Sequence, residues 1–490
     1  MTTARRNLTG VAINGAMVTL TLQVLGQVAT IGSTMVVARM LNPGAYGIVG
    51  LALLIGLPLT GLVDLGLTQA LSRAPNLTER GLHSAFWATC AGASAGLIVG
   101  IPVGLLFAHR FGVSGNASLV VTGVAGSLLA VPAAAPRAIL GRSFKFRRLA
   151  LTDFFGQVAT GGVSLVLALA GAGAWALILG IAARSIAVVV SSFALSDYRP
   201  KPIFDWPELK PLCKFGARAA VSGTTAFLGR SIDDYIVVRS AGSAALGLYR
   251  IGFGVALMPF AYLGVAIANI VVPVYAAVAD DRDRLGAGLV RGVRYLAVLN
   301  TTLIIVLWWL AELAIRVIYG GRFISAVPIL RILCITALVY PLGALCGSTM
   351  LAIGRAGVEL RLSVMQAVLT GFFAFGGWKL DGLEGIAWGV SLYAVGQICV
   401  DLVVTARVTR VDVWAIAHAL APAAISGSAA FAGLYALERT HSIGLYMRLP
   451  IAAAATVGML ALARLVSPEL ALHHLPRGRG QKKTSDEPST

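Results

Sequence analysis

Residues 216–250 read G-A-R-A-A-V-S-G-T-T-A-F-L-G-R-S-I-D-D-Y-I-V-V-R-S-A-G-S-A-A-L-G-L-Y-R, an apolar run that carries Arg218, Arg230, Asp233 and Asp234 and closes on Arg250. Stripped of those charges it is a helix a bilayer would accept. An arginine inside a membrane costs roughly 3 kcal/mol on the insertion scale, so each such side chain faces protein or water. The stretch therefore implies a membrane protein whose interior is polar.

Composition agrees. Of 490 residues, 57% are hydrophobic and 12% charged, and the mean hydropathy is +0.83. Soluble domains carry about 25% charged residues. Apolar runs long enough to cross a hydrocarbon core of roughly 30 Å recur along the whole chain. The formal charge of +18 fits the excess of Lys and Arg in cytoplasmic loops better than nucleic-acid binding, because no basic groove interleaved with exposed aromatics stands out. Cys90, Cys213, Cys334, Cys346 and Cys399 form no C-x-x-C, and the six histidines have no metal-ligand spacing. No glycine-rich phosphate loop ends in Gly-Lys-Ser/Thr, so the chain carries no ATPase of its own. Nor does it contain a soluble domain of glycosyltransferase size.

The expected fold is all-α and polytopic: about 14 transmembrane helices in two parallel-related bundles around a central cavity. An N-terminal bundle occupies 1–196 and a cytoplasmic linker 197–212, with a short surface helix from Pro207. A C-terminal bundle covers 213–406, two further spans lie in 407–466, and a basic cytoplasmic tail, 467–490, is expected to be disordered. Span seven is expected at 213–238, span eight at 244–275 and span nine at 290–318. With both termini in the cytoplasm, 26 Lys and Arg fall on the cytoplasmic side, eight on the opposite side and five within spans. That asymmetry sets the orientation.

The two halves repeat. V-V-A-R39-M-L-N-P-G-A-Y-G47 aligns with I-V-V-R239-S-A-G-S-A-A-L-G247 at an offset of 200, and Gly141-Arg142 and Trp175 match Gly354-Arg355 and Trp388 at an offset of 213. Both members of each pair lie on the same expected side, so the halves run parallel.

Five arginines lie within spans: Arg184, Arg218, Arg230, Arg250 and Arg331. A guanidinium keeps its charge and binds phosphate oxygens in pairs, which suits an anionic ligand in a cavity. Arg250 and Arg331, near the outer helix ends, can also reach the headgroups. Arg230 stands three and four residues before Asp233 and Asp234, a spacing that makes an ion pair on one helix. Asp64, in L-V-D-L-G-L, either carries a coupling proton or cation or caps and pairs locally. The loop Arg137 to Arg148, with five basic residues and no acid, suits contact with anionic membrane lipids.

The strings V-A-R-M-L-N-P-G-A-Y-G, L-V-D-L-G-L-T-Q-A-L, H-S-A-F-W (His83 to Trp87), P-R-A-I-L-G-R-S-F-K-F-R-R (Pro136 to Arg148), W-P-E-L-K-P-L-C-K-F-G (Trp206 to Gly216), L-G-R-S-I-D-D-Y-I-V and A-L-G-L-Y occur in order between Val37 and Tyr249, within a resemblance that covers roughly residues 10–430. In that order the chain resembles the bacterial polysaccharide biosynthesis and export family, the lipid-linked oligosaccharide flippases of the multidrug/oligosaccharidyl-lipid/polysaccharide transporter superfamily, in its lipopolysaccharide and exopolysaccharide branch. The resemblance implies a carrier, not an enzyme. Such a carrier moves an undecaprenyl-diphosphate-linked repeat unit outward by alternating access, with no cofactor but with coupling to protons or sodium. It implies that Arg218 and Arg230 touch the diphosphate, and that a polysaccharide polymerase and a chain-length regulator are partners. Where this chain has Asp234, the family often has Asn. The alternatives are a lipid-linked peptidoglycan precursor flippase, a cation-coupled multidrug antiporter, and a scaffold for a polysaccharide synthase.

Overall fold

A computed structural model of the chain describes residues 2–74, 77–143, 145–266, 275, 281–353, 355–440 and 444–467. The described residues are helical almost throughout, with no strand among them. The helices are α1 (Thr2–Met40), α2 (Pro43–Val63), α3 (Leu67–Arg73), α4 (Glu79–Arg110), α5 (Ala117–Leu128), α6 (Ala134–Arg142), α7 (Phe146–Leu169) and α8 (Trp175–Leu195). They continue as α9 (Trp206–Arg230), α10 (Ile232–Ala266), α11 (Arg282–Trp309), α12 (Ala311–Ile318), α13 (Val327–Ala352), α14 (Ala356–Thr409), α15 (Val413–Thr440) and α16 (Arg448–Val466). The tail expected to be disordered lies, beyond residue 467, outside the described residues.

Twelve helical stretches among the described residues are long and apolar enough to cross a membrane. The sequence suggests fourteen spans, and the difference has a physical origin. α10 turns at Gly242 (φ 85, ψ 178), and the hydroxyl of Tyr249 donates to Asp233 Oδ2 at 2.7 Å. Sixteen residues of straight helix would separate those two by about 24 Å, so the chain reverses at Gly242. Residues 232–241 thus continue the direction of α9, and 243–266 run back. α14 likewise departs from helix at Asp381 (φ −149, ψ 35) and Gly382 (φ 55, ψ −129). Its legs are so close that a Cβ on Gly377 would overlap the carbonyl oxygen of Gly385. Both reversals fall where the sequence places links between spans.

Two boundaries move. Pro207 sits in the first turn of α9, where the sequence starts a helix, and a proline there is preorganised for helix. The expected short surface helix and span seven are one helix from Trp206, and that helix breaks at Ser231 (φ −115, ψ 10). Span nine ends earlier, at Trp309, and α12 is a separate short helix.

The chain forms two compact units: Met1–Met258 with Ala311–Ala337 and Gly354–Cys399, and Pro259–Leu310 with Leu338–Ile353 and Val400–Thr490. In the first, α7 packs along both α1 and α8, and α2 packs on α5. In the second, α11 packs against α15 and α16. There the buried indole of Trp309 donates to the carbonyl of Arg448 at 3.1 Å, and the Arg448 guanidinium lies 5.4 Å from the indole ring.

Within the first unit, α2 and the returning leg of α10 meet backbone to backbone. A Cβ on Gly47 would overlap the carbonyl oxygen of Ser243, and one on Gly247 would overlap that of Pro43. The contact is reciprocal at the offset of 200 that aligns the two segments. Small residues are what allow such an approach between membrane helices. A methyl group here forces the helices apart, whereas one at Gly254 meets nothing within 4 Å and gains helix propensity of up to about 1 kcal/mol. Gly47→Ala and Gly247→Ala should therefore lower the thermal unfolding midpoint of the purified protein, and Gly254→Ala should leave it unchanged or raise it. Unfolding followed by size-exclusion fluorescence reads both signs.

Candidate functional site

Ser231 interrupts the stretch read first, and Asp233 and Asp234 occupy the opening turn of α10. Acids are favoured there by the unsatisfied N–H groups and the helix dipole. The chain's return at Gly242 then brings their partners. Asp233, 3% exposed, accepts from Tyr249, as described. Asp234 Oδ2 lies 3.5 Å from Arg250 Nη1, and the same nitrogen donates to the carbonyl oxygen of Gly50 at 3.0 Å. Both acids thus find partners on the returning leg of α10. The expected pairing with Arg230 presumes an unbroken helix, and the helix is broken one residue after Arg230. Arg250, expected near an outer helix end, turns inward to α2.

The remaining candidates fall in different settings. Arg184 lies on α8 with its stem over Gly156 of α7, where a Cβ would stand 3.4 Å from Arg184 Cγ. Its side chain is exposed and takes part in no hydrogen bond or ion pair found among the described residues. Arg331 is half-buried in α13 and has an interaction partner. Arg218 and Arg230 belong to α9, but their side chains lie outside those described. Asp64 ends α2 and caps the next turn, accepting from Thr68 Oγ1 at 3.0 Å and Thr68 N at 3.3 Å.

The basic loop is mostly engaged within the protein. Arg137 grips Asp153 through two bonds of 2.9 and 3.3 Å. Arg142 donates to the carbonyls of Leu71 and Ala74 at the end of α3. Lys145 and Arg148 meet Asp197, and Arg148 also donates to the carbonyl of Leu195. The hydrogen bond and charge of Lys145 hold the Asp197 carboxyl below its usual pKa range. What that pair contributes is present above the ordinary carboxylate pKa and is lost as pH falls through the lowered value. None of these partners follows from sequence spacing.

The segment between α8 and α9 is docked rather than loose. Tyr198 is buried and lies 3.2 Å from His83 Nδ1. The indole of Trp87 donates to the Lys201 carbonyl at 2.8 Å, and Asp205 N donates to Ser84 Oγ at 2.7 Å. The string H-S-A-F-W is thus the receiving edge of α4 for this linker.

The polysaccharide biosynthesis protein family matches residues 36–328 of the chain. The chain belongs to that family. Over 365 residues it is 21% identical to the lipopolysaccharide biosynthesis protein WzxC of Escherichia coli (strain K12), with 74% of each chain covered. Over 366 residues it is 25% identical to the succinoglycan biosynthesis transport protein ExoT of Rhizobium meliloti (strain 1021), with 72% of each covered. Among solved structures, the lipid II flippase MurJ in an inward closed conformation superposes with a TM-score of 0.74 at 13% identity, covering 93% of this chain and 99% of that one. An inward-facing multidrug resistance transporter of the MATE family gives a TM-score of 0.61 at 16% identity, covering 81% and 98%. The resemblance read from the ordered strings is borne out: this is a membrane transporter of the polysaccharide and flippase branch of that superfamily.

Asp234 has its counterpart in Arg250. Removing one partner of a largely buried pair strands the other, which costs several kcal/mol, while replacing both is milder. Arg250→Met should destabilise the protein more than the double variant Asp234→Asn with Arg250→Met. Thermal unfolding of the two singles and the double should give a coupling of about 0.5–3 kcal/mol; additive effects would mean that the pair is not formed.

Proposed function

We propose that the protein moves an undecaprenyl-diphosphate-linked oligosaccharide repeat unit from the cytoplasmic to the outer leaflet of the inner membrane, for exopolysaccharide or lipopolysaccharide synthesis. The observation that carries this reading is the family match over 36–328, joined by relatives named for lipopolysaccharide biosynthesis and succinoglycan transport that align over nearly three quarters of their length. The proposed arrangement is fourteen crossings in two parallel-related halves with both termini cytoplasmic, and the reversed legs of α10 and α14 support the count. The carrier works by alternating access, coupled to protons or sodium as in the drug exporters whose fold it shares.

Arg184 is the group chosen for the diphosphate. It lies in the middle of α8, its charge is permanent, and no described acid neutralises it. Arg218 and Arg230 are proposed to extend the path, about 18 Å apart along α9. Arg250 serves the path from behind, committed to Asp234 and Gly50. An apolar groove of about 330 Å³ between α15 and α16, lined by residues such as Ala429, Gly433, Ala455 and Met459, has the chemistry an isoprenoid chain needs. The polymerase and chain-length regulator of the same polysaccharide are the proposed protein partners. The peptidoglycan precursor is the second reading, favoured by the MurJ superposition; at that identity the superposition speaks for the fold.

Deletion should remove the surface polysaccharide and accumulate its lipid-linked intermediate, while peptidoglycan synthesis continues. Normal polysaccharide and no intermediate would overturn the reading, and rescue of a strain lacking its peptidoglycan precursor flippase would favour the second. A charge-assisted hydrogen bond contributes about 1.5–3 kcal/mol, so Arg184→Ala should cut export by roughly ten- to a hundredfold at an unchanged level of inserted protein. Arg184→Lys should retain part of it.

A further inference from the structure

Residues 197–215 have an inner side that is fully engaged and an outer side that is not. Inward, Tyr198 and Leu209 are 5% and 1% exposed and join Leu67, Leu71 and Phe86 in one apolar cluster. The acids of the segment, Asp197 exposed and Asp205 and Glu208 half-buried, have partners as well. Asp197 meets Lys145 and Arg148, Asp205 lies 3.9 Å from Arg80, and Glu208 accepts from Thr78 Oγ1 at 3.0 Å.

Outward, Phe204, Trp206 and Phe215 are 60%, 56% and 48% exposed. Lys201, Lys210 and Lys214 are exposed beside them. Trp206, Lys210 and Lys214 succeed one another at intervals of four and share one face of α9. Lys210 and Lys214 take part in no ion pair found among the described residues. Lys201 has a largely solvated contact of 3.9 Å with Glu79, the kind that contributes little. With the acids of the segment met by partners, the exposed half of α9, from Trp206 through Lys210 and Lys214 to Phe215, carries positive charge and large aromatic rings. Rings at headgroup depth with lysines around them are the chemistry of a membrane interface. The face also lies where it should, between the end of one membrane helix and the start of the next.

We propose that Phe204, Trp206, Phe215, Lys201, Lys210 and Lys214 form a binding surface for anionic phospholipid headgroups, with the rings seated in the interface and the ammonium groups on the lipid phosphates. The clamp on α4 holds the segment in the shape that presents this face. The proposal concerns the resident lipids and stands apart from the transported cargo.

The full-length protein is reconstituted in vesicles of phosphatidylethanolamine and phosphatidylglycerol carrying a trace of photoactivatable phosphatidylglycerol or, separately, photoactivatable phosphatidylcholine. Cross-linked peptides are then mapped by mass spectrometry. A lysine near an anionic surface supplies about a fivefold preference, so the peptides spanning 201–215 should be labelled by phosphatidylglycerol at least about fivefold more than by phosphatidylcholine. The triple variant Lys201→Gln, Lys210→Gln, Lys214→Gln should bring that ratio towards one. Raising the salt to about 1 M, where screening acts over about 3 Å, should do the same to the unaltered protein, independently of how the variant folds. Equal labelling by the two lipids in the unaltered protein at low salt, or an excess that survives both changes, would overturn the proposal.

Discussion

At Gly47 and Gly247 two helices whose sequences repeat at an offset of 200 meet with no side chain between them, each glycine against a carbonyl oxygen of the other segment. The arrangement around Asp234 depends on this approach. Because the backbones touch, Arg250 reaches the carbonyl of Gly50 three residues further along α2. Because the chain reverses at Gly242, that same guanidinium returns to Asp234. A larger residue at either glycine would withdraw Arg250 from α2, leaving its guanidinium with Asp234 but without the Gly50 carbonyl.

Charges in the described parts of the membrane helices are handled in two ways. Most are resolved close by: Arg137 with Asp153, Arg250 with Asp234, Asp233 with Tyr249. The two ion pairs meet the cost of an uncompensated charge without needing a ligand, whereas Tyr249 gives Asp233 a hydrogen bond rather than a counter-charge. Arg184 stands apart, since its stem is packed on α7 and its guanidinium has no acid from the described residues. A transporter of anionic cargo needs both kinds, with fixed pairs for the scaffold and an unneutralised cation for the load.

Much of the fold is legible in the residues because a bilayer constrains sequence strongly. A crossing requires about 20 apolar residues, links need polar or turn residues, and so the reversals at Gly242 and Gly382 fall where the chain reads as link. The repeat is legible because Gly47 and Gly247 cannot be replaced without separating the helices. The site is less legible. A spacing of three or four implies a pair only along a continuous helix, and the helix breaks at Ser231, between Arg230 and Asp233. Tyr249 and Arg250 are sixteen residues from their acids, and Arg137 is sixteen from Asp153. Chain reversal brings them together, and local spacing cannot register that. The helix start at Pro207 is legible because proline suits a first turn, whereas its continuity with the next crossing, as one helix from Trp206 to Arg230, is not.

The central claim is that this family member carries a lipid-linked sugar diphosphate across a bilayer. Its most direct test is reconstitution of the purified protein in vesicles loaded with an undecaprenyl-diphosphate-linked oligosaccharide, with a membrane-impermeant glycosidase added outside. The account predicts that lipid-linked sugar initially confined to the inner leaflet becomes cleavable at a rate that rises with the amount of protein. A rate no greater than that of protein-free vesicles, under an imposed proton or sodium gradient of either direction, would contradict it.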